Sequence, residues 1–404
     1  MRPMMRRLAV LSVLSLALPI ALLQAGCSQQ KKASTIKVGI YGSLTGGTAT
    51  FGKSTVNGAV LAFEEANTAG GVGGKMLEWP TEDDQSKAEE AATAVQKLIN
   101  QDHVVALIGE VASSRSIAAA PIAQSNGVPM ISPSSTNPEV TLKGNYIFRA
   151  CFLDEFQGRV MARFAADSLH FKKVAILKDI KNDYSVGLAQ FFGDEYKTRG
   201  GTIVGEQAYN EGDSDFRSQL TALKATNPEA IFVPGYYTEV GSIARQAREL
   251  GLTVPLLGGD GWVSDQLLKI GGDALNGSYY SNHFAQDQPS AALQKFYTDY
   301  KAKFGANPDA IAGLAYDAAN LVVDALKRLQ ASDAAAFEAL GSDKSDAEAA
   351  KAARAKLRDL INGVKDFPGI TGVINFDANR NPVKPAVVIK IENGVEKFAA
   401  SIAP

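Results

Sequence analysis

"VVALIGEVASSRSIAAAPIAQSNGVPMISPSSTNP", Val104 to Pro138, changes its hydrophobic pattern at each step along the chain. Residues 104–109 are a short apolar run of strand type, and "GEVASSRS" then supplies small and hydroxyl residues that open a helical period over 114–125. "PMIS" at 129–132 is a second strand, and "SPSSTNP" repeats the small-residue loop after it. A strand that feeds a helix and then another strand predicts a parallel sheet covered on both faces.

The same alternation extends in both directions. Further strands are expected at 36–41, 173–179, 230–235, 255–259 and 386–391. Helices are expected at 54–68, 86–101, 154–168, 185–199, 215–225, 239–250, 290–304, 310–330 and 345–362. The period runs once over 36–145 and again over 173–260, which predicts an α/β protein of two doubly wound parallel-sheet lobes. The late helices and the strand pair near 372–391 must return to complete those lobes, so the chain crosses between them more than once. Helix 345–362, rich in alanine and charge, reads as a solvated helical face.

The N-terminus carries Arg2, Arg6 and Arg7, followed by an apolar run from Leu8 to Leu23 that is short for a membrane span and typical of a secretion signal. The run ends in "LLQAGC", 22–27, similar to the lipobox of bacterial lipoproteins apart from Gln24, where an aliphatic residue is usual. Residues 1–26 are therefore expected to be a signal peptide, Cys27 a lipidation site, and residues 27–35 a polar tether too hydrophilic to pack. The expected location is the periplasm or cell envelope, with membrane attachment only through that lipid.

Roughly 370 residues remain, more than one hydrophobic core accommodates, in agreement with two domains. The net charge of −2 includes the signal arginines, so the mature chain is mildly acidic and has no basic stripe for nucleic acid. With Cys27 acylated, Cys151 stands alone and no internal disulfide forms.

"GTATFGKST", 47–55, satisfies the phosphate-binding P-loop pattern letter for letter. A working P-loop starts where a strand ends, so that its amides and the next helix N-terminus converge on the phosphates. Here Gly42 to Gly46 intervene after the expected strand end at Tyr41, and the geometry does not suit ATP. "GGVGGK", 70–75, lacks the closing Ser or Thr and reads as a turn. His103, His170 and His283 fall in no metal-ligand spacing and read as surface or core residues; no G-x-S-x-G elbow occurs. Cys151 follows Arg149 but reads as structural. No enzyme, metal or cofactor is expected.

Ligands of open α/β sheets bind beyond the carboxyl ends of the strands, and several polar residues fall there. Ser113 and Ser114 open a helix whose free amides favour an anion such as a carboxylate. Asp260 in "GGDG" ends a strand beside Trp262 and suits an ammonium group. Singly, the serines and Thr136 also read as helix caps and Asp260 as a turn residue. Their joint placement at strand ends favours a ligand site.

From about 36 to 400 the chain resembles the leucine/isoleucine/valine-binding proteins, the substrate-binding components of branched-chain amino-acid ABC transporters. The stretches that carry the resemblance include "IKVGIYGSLTGGTATFGKSTVNGAVLAFEEANTAGGVGGKML", "LIGEVASSRSIAAAPIAQSNGVPMISPSSTNPEVT", "FRACFLDEFQG", "NDYSVGLAQ", "GYYTEVGSIARQARELG", "LLGGDGW" and "GLAYDAANLVVDAL", in family order. The resemblance implies a type I periplasmic binding protein, a flytrap whose three-crossing hinge lies near 150, 278 and 370. Lobe 1 is then 36–150 plus 279–369, and lobe 2 is 151–278 plus 370–404.

It further implies that Ser113 and Thr136 contact the polar head of an amino acid, that the backbone at Ser134 lies beside them, and that Tyr236 crosses from the second lobe to help hold the carboxylate. Tyr237 is a neighbour that a one-residue shift would promote. Asp260 would take the ammonium, and Tyr184 and Phe51 would wall the side-chain pocket. The family often has glutamate where this chain has Asp260 and an aromatic near Ile311, and Ser86 and Ala112 stand where some relatives have a disulfide. The implied function is capture of an aliphatic amino acid by a monomeric lipoprotein and its delivery to the permease and ATPase subunits of an ABC transporter. The alternative is a flytrap sensor or regulator for an amide or other small metabolite. The sequence ends at Pro404 without a transmembrane helix or output domain, which would leave signalling to a separate partner.

Overall fold

The structure is a computed structural model that describes residues 35–285, 290–340 and 347–403. The expected signal segment, the tether and Cys27 lie outside the described residues. Among the described residues no helix is long and apolar enough to cross a membrane.

The first sheet contains β1 (Ile36–Gly42), β2 (Leu77–Glu78), β3 (Thr81–Asp83), β4 (Ala106–Ile108), β5 (Met130–Ser132) and β6 (Ile147–Arg149). Its order is β2-β1-β4-β5-β6 with β3 also on β1, and every pairing is parallel. β4, β5 and β6 are buried along their whole length, as strands with helices on both faces must be. The helices of this half are α1 (Ala49–Thr68), α2 (Ala88–Asn100), α3 (Ser113–Ser125) and the short α4 (Glu139–Leu142).

The second sheet contains β7 (Lys173–Asp179), β8 (Thr202–Tyr209), β9 (Ala230–Phe232), β10 (Leu256–Gly258) and β11 (Tyr279–Asn282). These five are parallel, with α5 (Asp154–Arg163), α6 (Asp183–Thr198), α7 (Arg217–Lys224), α8 (Tyr237–Glu249) and α9 (Asp265–Gly271) along the connections. The chain continues through α10 (Ala291–Phe304), α11 (Ala310–Ser332), α12 (Ala334–Leu340) and α13 (Ala347–Asn362). A two-stranded hairpin, β12 (Phe367–Gly369) and β13 (Gly372–Ile374), precedes β14 (Ala386–Glu392) and β15 (Val395–Ile402).

The second sheet is not wholly parallel: β14 and β15 add an antiparallel edge, giving the order β15-β14-β11-β10-β9-β7-β8. Its turn is dictated locally, since Asn393 and Gly394 both hold positive φ, the conformation a two-residue hairpin requires. β11 pairs inside this second sheet, beyond the crossing expected near 278, and the β12–β13 hairpin is tied to α11 by Ile370 and Thr371 amides donating to Asp317 (2.8 and 3.0 Å). The chain therefore returns to the second sheet only after Ile374, with β14. Buried side chains of α11, among them Leu314, Val322 and Leu326, share one apolar cluster with Val38 and Ile40 of β1, so α11 covers the first sheet.

Helix α1 begins at Ala49, five residues before the expected start, and this places the P-loop-like glycine inside the helix. Gly52 is there for close approach: a Cβ on it would stand 2.0 Å from the Ser43 carbonyl oxygen. Lys53 and Ser54 follow within the helix, and Ser54 Oγ donates to Asp309 (2.6 Å). The pattern is thus a packing contact between the β1–α1 loop and the helix that follows it.

Candidate functional site

The loops leaving the carboxyl ends of β1, β4, β5, β7, β9, β10 and β11 converge, and all seven expected ligand residues are buried in them or on the helices they start. The aromatic ones touch. Tyr184 and Tyr236 stack with ring centroids 5.3 Å apart, and Phe51 of α1 meets Tyr236 edge-on at 5.4 Å and Tyr237 at 5.2 Å. Asn182 Oδ1 accepts from the Tyr184 amide (3.0 Å), capping α6 and fixing the ring's origin. Tyr184 Oη accepts from the Gly261 amide (3.0 Å), so this wall is bonded to the Asp260 turn.

Asp260 opens a tight turn held by Trp262, whose indole donates to the Val233 carbonyl (3.0 Å). Gly261 permits the turn, since a Cβ there would lie 2.7 Å from the Gly235 oxygen and 3.0 Å from the Tyr184 ring. The Asp260 carboxylate accepts from Gln157 Nε2 (3.0 Å), from His283 Nε2 (3.0 Å) and from Ser134 Oγ (3.3 Å). Ser134 belongs to the loop after β5 of the first sheet. Its side chain, and not only its backbone, therefore spans to the acid of the second sheet.

Thr136 Oγ1 and Tyr236 Oη, one from each sheet's loops, are buried without a hydrogen bond of acceptable geometry, although the Asp154 carboxyl and the Asn182 side chain lie close enough to interact with them. Thr136 lies next to the acid's supports, because its carbonyl accepts from the Asp154 amide (2.9 Å) and Gln157 links Asp154 to Asp260. Ser113 Oγ accepts from the Asn137 amide (3.2 Å), which leaves its own hydrogen available to donate. These residues thus bring hydroxyl groups and a carboxylate to the same loops, the group types that complement a zwitterion.

The electrostatics are those of a dry site. Burial, then the proximity of Asp260, raises Asp154 to about 8. Burial also lowers His283, with Asp260 opposing, so the imidazole is neutral near pH 7. Tyr184 and Tyr236 are pushed well above the ordinary tyrosine range by burial and remain phenols. Among the described residues no group of three or more His, Cys, Asp and Glu is arranged to hold a metal.

Four further contacts join the two halves. Arg115 of α3, buried, donates through Nη2 to Glu211 beyond β8 (2.6 Å) while Nη1 holds Ser43 Oγ (3.0 Å) and Thr48 Oγ1 (2.7 Å). Thr238 Oγ1 donates to the Gly47 carbonyl (2.6 Å), the Thr50 and Ser264 hydroxyls lie 3.0 Å apart, and the Asp183 amide donates to Ser114 Oγ (2.9 Å). A cavity of about 1120 Å³ beside α1, α10 and β15 is lined by charges of both signs, including Lys53, Asp309 and Glu396. The Thr136 and Tyr236 hydroxyls are not among its walls.

Sequence reasoning missed Gln157, His283 and Glu211. Gln157 lies in "FRACFLDEFQG", but nothing local assigns it to Asp260, 103 residues away. His283 follows β11, a strand too polar to be read as one; with the strand recognised, its place at a carboxyl end would have marked it.

The family profile described as periplasmic binding protein matches residues 35–395. A leucine-, isoleucine-, valine-, threonine- and alanine-binding protein of Pseudomonas aeruginosa is 33% identical over 310 residues, covering 76% of this chain and 82% of that protein. Among solved structures, the leucine binding protein LivK of Thermotoga maritima is 38% identical with a TM-score of 0.83, covering 92% of this chain and 99% of its own. The substrate-binding protein LivJ of Streptococcus pneumoniae, in complex with isoleucine, is 34% identical with a TM-score of 0.81 over the same shares.

Proposed function

This chain belongs to the periplasmic binding protein family, in its branched-chain amino-acid-binding group, and on that premise we propose that its two sheets form lobes that close on one aliphatic amino acid for delivery to an ABC permease. The observation that carries the reading is the pair of buried hydroxyls, Thr136 Oγ1 and Tyr236 Oη, contributed by loops of opposite sheets and making no hydrogen bond of acceptable geometry. A ligand carboxylate accepting from them and from Ser113 would remove the cost of burying them without a well-formed hydrogen bond. The ammonium then falls to Asp260, and Phe51, Tyr184 and Tyr236 flank the side chain. We place the lobe boundaries at 150–153, after Asn282, and between Ile374 and Ala386, where the strands change sheet.

Closure is the ligand's differential affinity for the shut form, because it touches groups of both lobes only there. Each methylene of the side chain adds about 0.8 kcal/mol, so such a pocket accepts several aliphatic amino acids. Lipidation at Cys27 would keep the monomer on the envelope, near a permease that reads its closed surface. The test is calorimetric titration of protein unfolded and refolded to strip carried ligand, against aliphatic amino acids, amides and carboxylic acids. Micromolar or tighter binding of leucine, isoleucine or valine supports the reading; heat from an amide alone supports a sensor, and heat from none of them removes the ligand assignment.

A further inference from the structure

His283 is buried, and its ring stacks on Phe152 with centroids 3.9 Å apart. Packing alone does not explain an imidazole there, because Nδ1 is left without a hydrogen-bond partner and an apolar ring would stack as well. What the imidazole adds is Nε2, 3.0 Å from Asp260 Oδ2 and 3.3 Å from Ser134 Oγ. An ionised carboxylate only accepts, so Nε2 carries the proton and the unpartnered Nδ1 does not. The ring is therefore a neutral donor. It orients the acid without cancelling its charge, as a lysine at that place would.

Gln157 fixes the other oxygen. Its Oε1 accepts from Ser281 Oγ (2.9 Å) and from the Asp260 amide (3.2 Å), which leaves Nε2 to donate to Asp154 Oδ1 (2.7 Å) and Asp260 Oδ1 (3.0 Å). A carboxylate offers about four lone-pair positions, and Gln157, His283 and Ser134 occupy three. The acid is thus held in one rotation with one position open.

We infer that His283, with Gln157 opposite it, is a positioning residue that fixes the Asp260 carboxylate for an ammonium group, and that selection of amines over des-amino analogues depends on the His283 Nε2 hydrogen. The inference rests on the reading that Asp260 receives the ligand's ammonium. A merely structural histidine would affect all ligands alike.

The experiment compares the affinities of leucine and of 4-methylpentanoate, the same carbon skeleton without the amine, by titration and displacement on the full chain. His283→Phe keeps the stack and removes the donor; His283→Gln restores an N–H donor, and Ser134→Ala removes only the longer contact. The expected result is that His283→Phe weakens leucine about ten- to hundredfold, the range for a hydrogen bond to a charged group, and changes 4-methylpentanoate less than about twofold. His283→Gln should recover part of the loss, with Ser134→Ala showing a smaller loss of the same kind. Equal weakening of both ligands, or leucine binding unchanged in His283→Phe, overturns the inference. If His283→Phe does not fold, His283→Met, which also removes the donor, decides it: an unchanged leucine to 4-methylpentanoate ratio overturns the inference. Loss of leucine binding in Asp260→Ala together with unaltered His283 variants removes the inference alone. A parent that does not bind leucine removes the functional reading with it.

Discussion

Glu211→Gln tests whether closure is built into the contacts between the sheets. Arg115 Nη2 and Glu211 Oε1 are 2.6 Å apart, and their side chains are 3% and 36% exposed. Two unit charges about 4 Å apart interact by roughly 4 kcal/mol at an effective dielectric of 20 and roughly 1 kcal/mol in bulk water. A partner one-third open to solvent belongs toward the lower end, and the substitution still lets the guanidinium donate to an amide oxygen. Arg115 also keeps Ser43, Thr48 and the Glu110 carboxylate, 4.0 Å away, so it is not left as an uncompensated buried charge.

The expected loss is about 1–2 kcal/mol, a roughly 5- to 30-fold weaker Kd. Arg115 and Glu211 stand on opposite sheets, so on the proposal that the lobes part without ligand the loss should appear in ligand affinity and not in the melting temperature of the stripped protein. Calorimetry gives the first quantity and scanning calorimetry of stripped protein the second. An unchanged Kd with a lowered ligand-free Tm would refute the reasoning, since the pair would then be an ordinary support of the fold.

Gly261→Ala should abolish binding by titration while the chain still folds by circular dichroism, because the new methyl is driven against the Gly235 carbonyl and the Tyr184 and Tyr236 rings. Tyr236→Phe removes a hydroxyl whose contact with the Asn182 side chain falls short of a well-formed hydrogen bond, so ligand affinity should fall by about 1.5–3 kcal/mol while stability of the stripped protein changes little. Asp154 is raised to about 8 by burial, so the folded state binds more protons than the unfolded one between roughly pH 4 and pH 8. Its contribution is full below that window and is lost as pH rises through it, at up to about 1.4 kcal/mol per pH unit. Asp154→Asn should flatten the decline, with the largest relative gain in Tm near pH 8; parallel Tm profiles of mutant and parent from pH 5 to 8 would count against it.

The alternation of strands and helices was legible because a strand buried on both faces is an uninterrupted apolar run, as in β4 and β7. β8 and β15 were not, since edge strands such as "TIVGEQAY" and "VEKFAASI" are half exposed and carry no such run. β6 and β11 are three and four residues long and are defined by their neighbours rather than by their own composition. In the proposed site, the placement of Ser113, Thr136 and Asp260 after strands was legible because a position at a strand's carboxyl end is a local property. The Arg115–Glu211 pair spans 96 residues and the Gln157–Asp260 pair 103, distances over which spacing carries no information about contact. His283 sits only 23 residues from Asp260, yet the strand that delivers it is the one the pattern concealed.

The central claim is the polarity of the site, a carboxylate toward Thr136, Ser113 and Tyr236 and an ammonium toward Asp260. A crystal structure of the refolded protein with leucine tests it most directly. The expected arrangement has the amine nitrogen within hydrogen-bond distance of Asp260 and the ligand carboxylate bonded to Thr136 Oγ1 and Tyr236 Oη. Leucine bound with its carboxylate elsewhere, or with no atom within reach of Asp260, would contradict it.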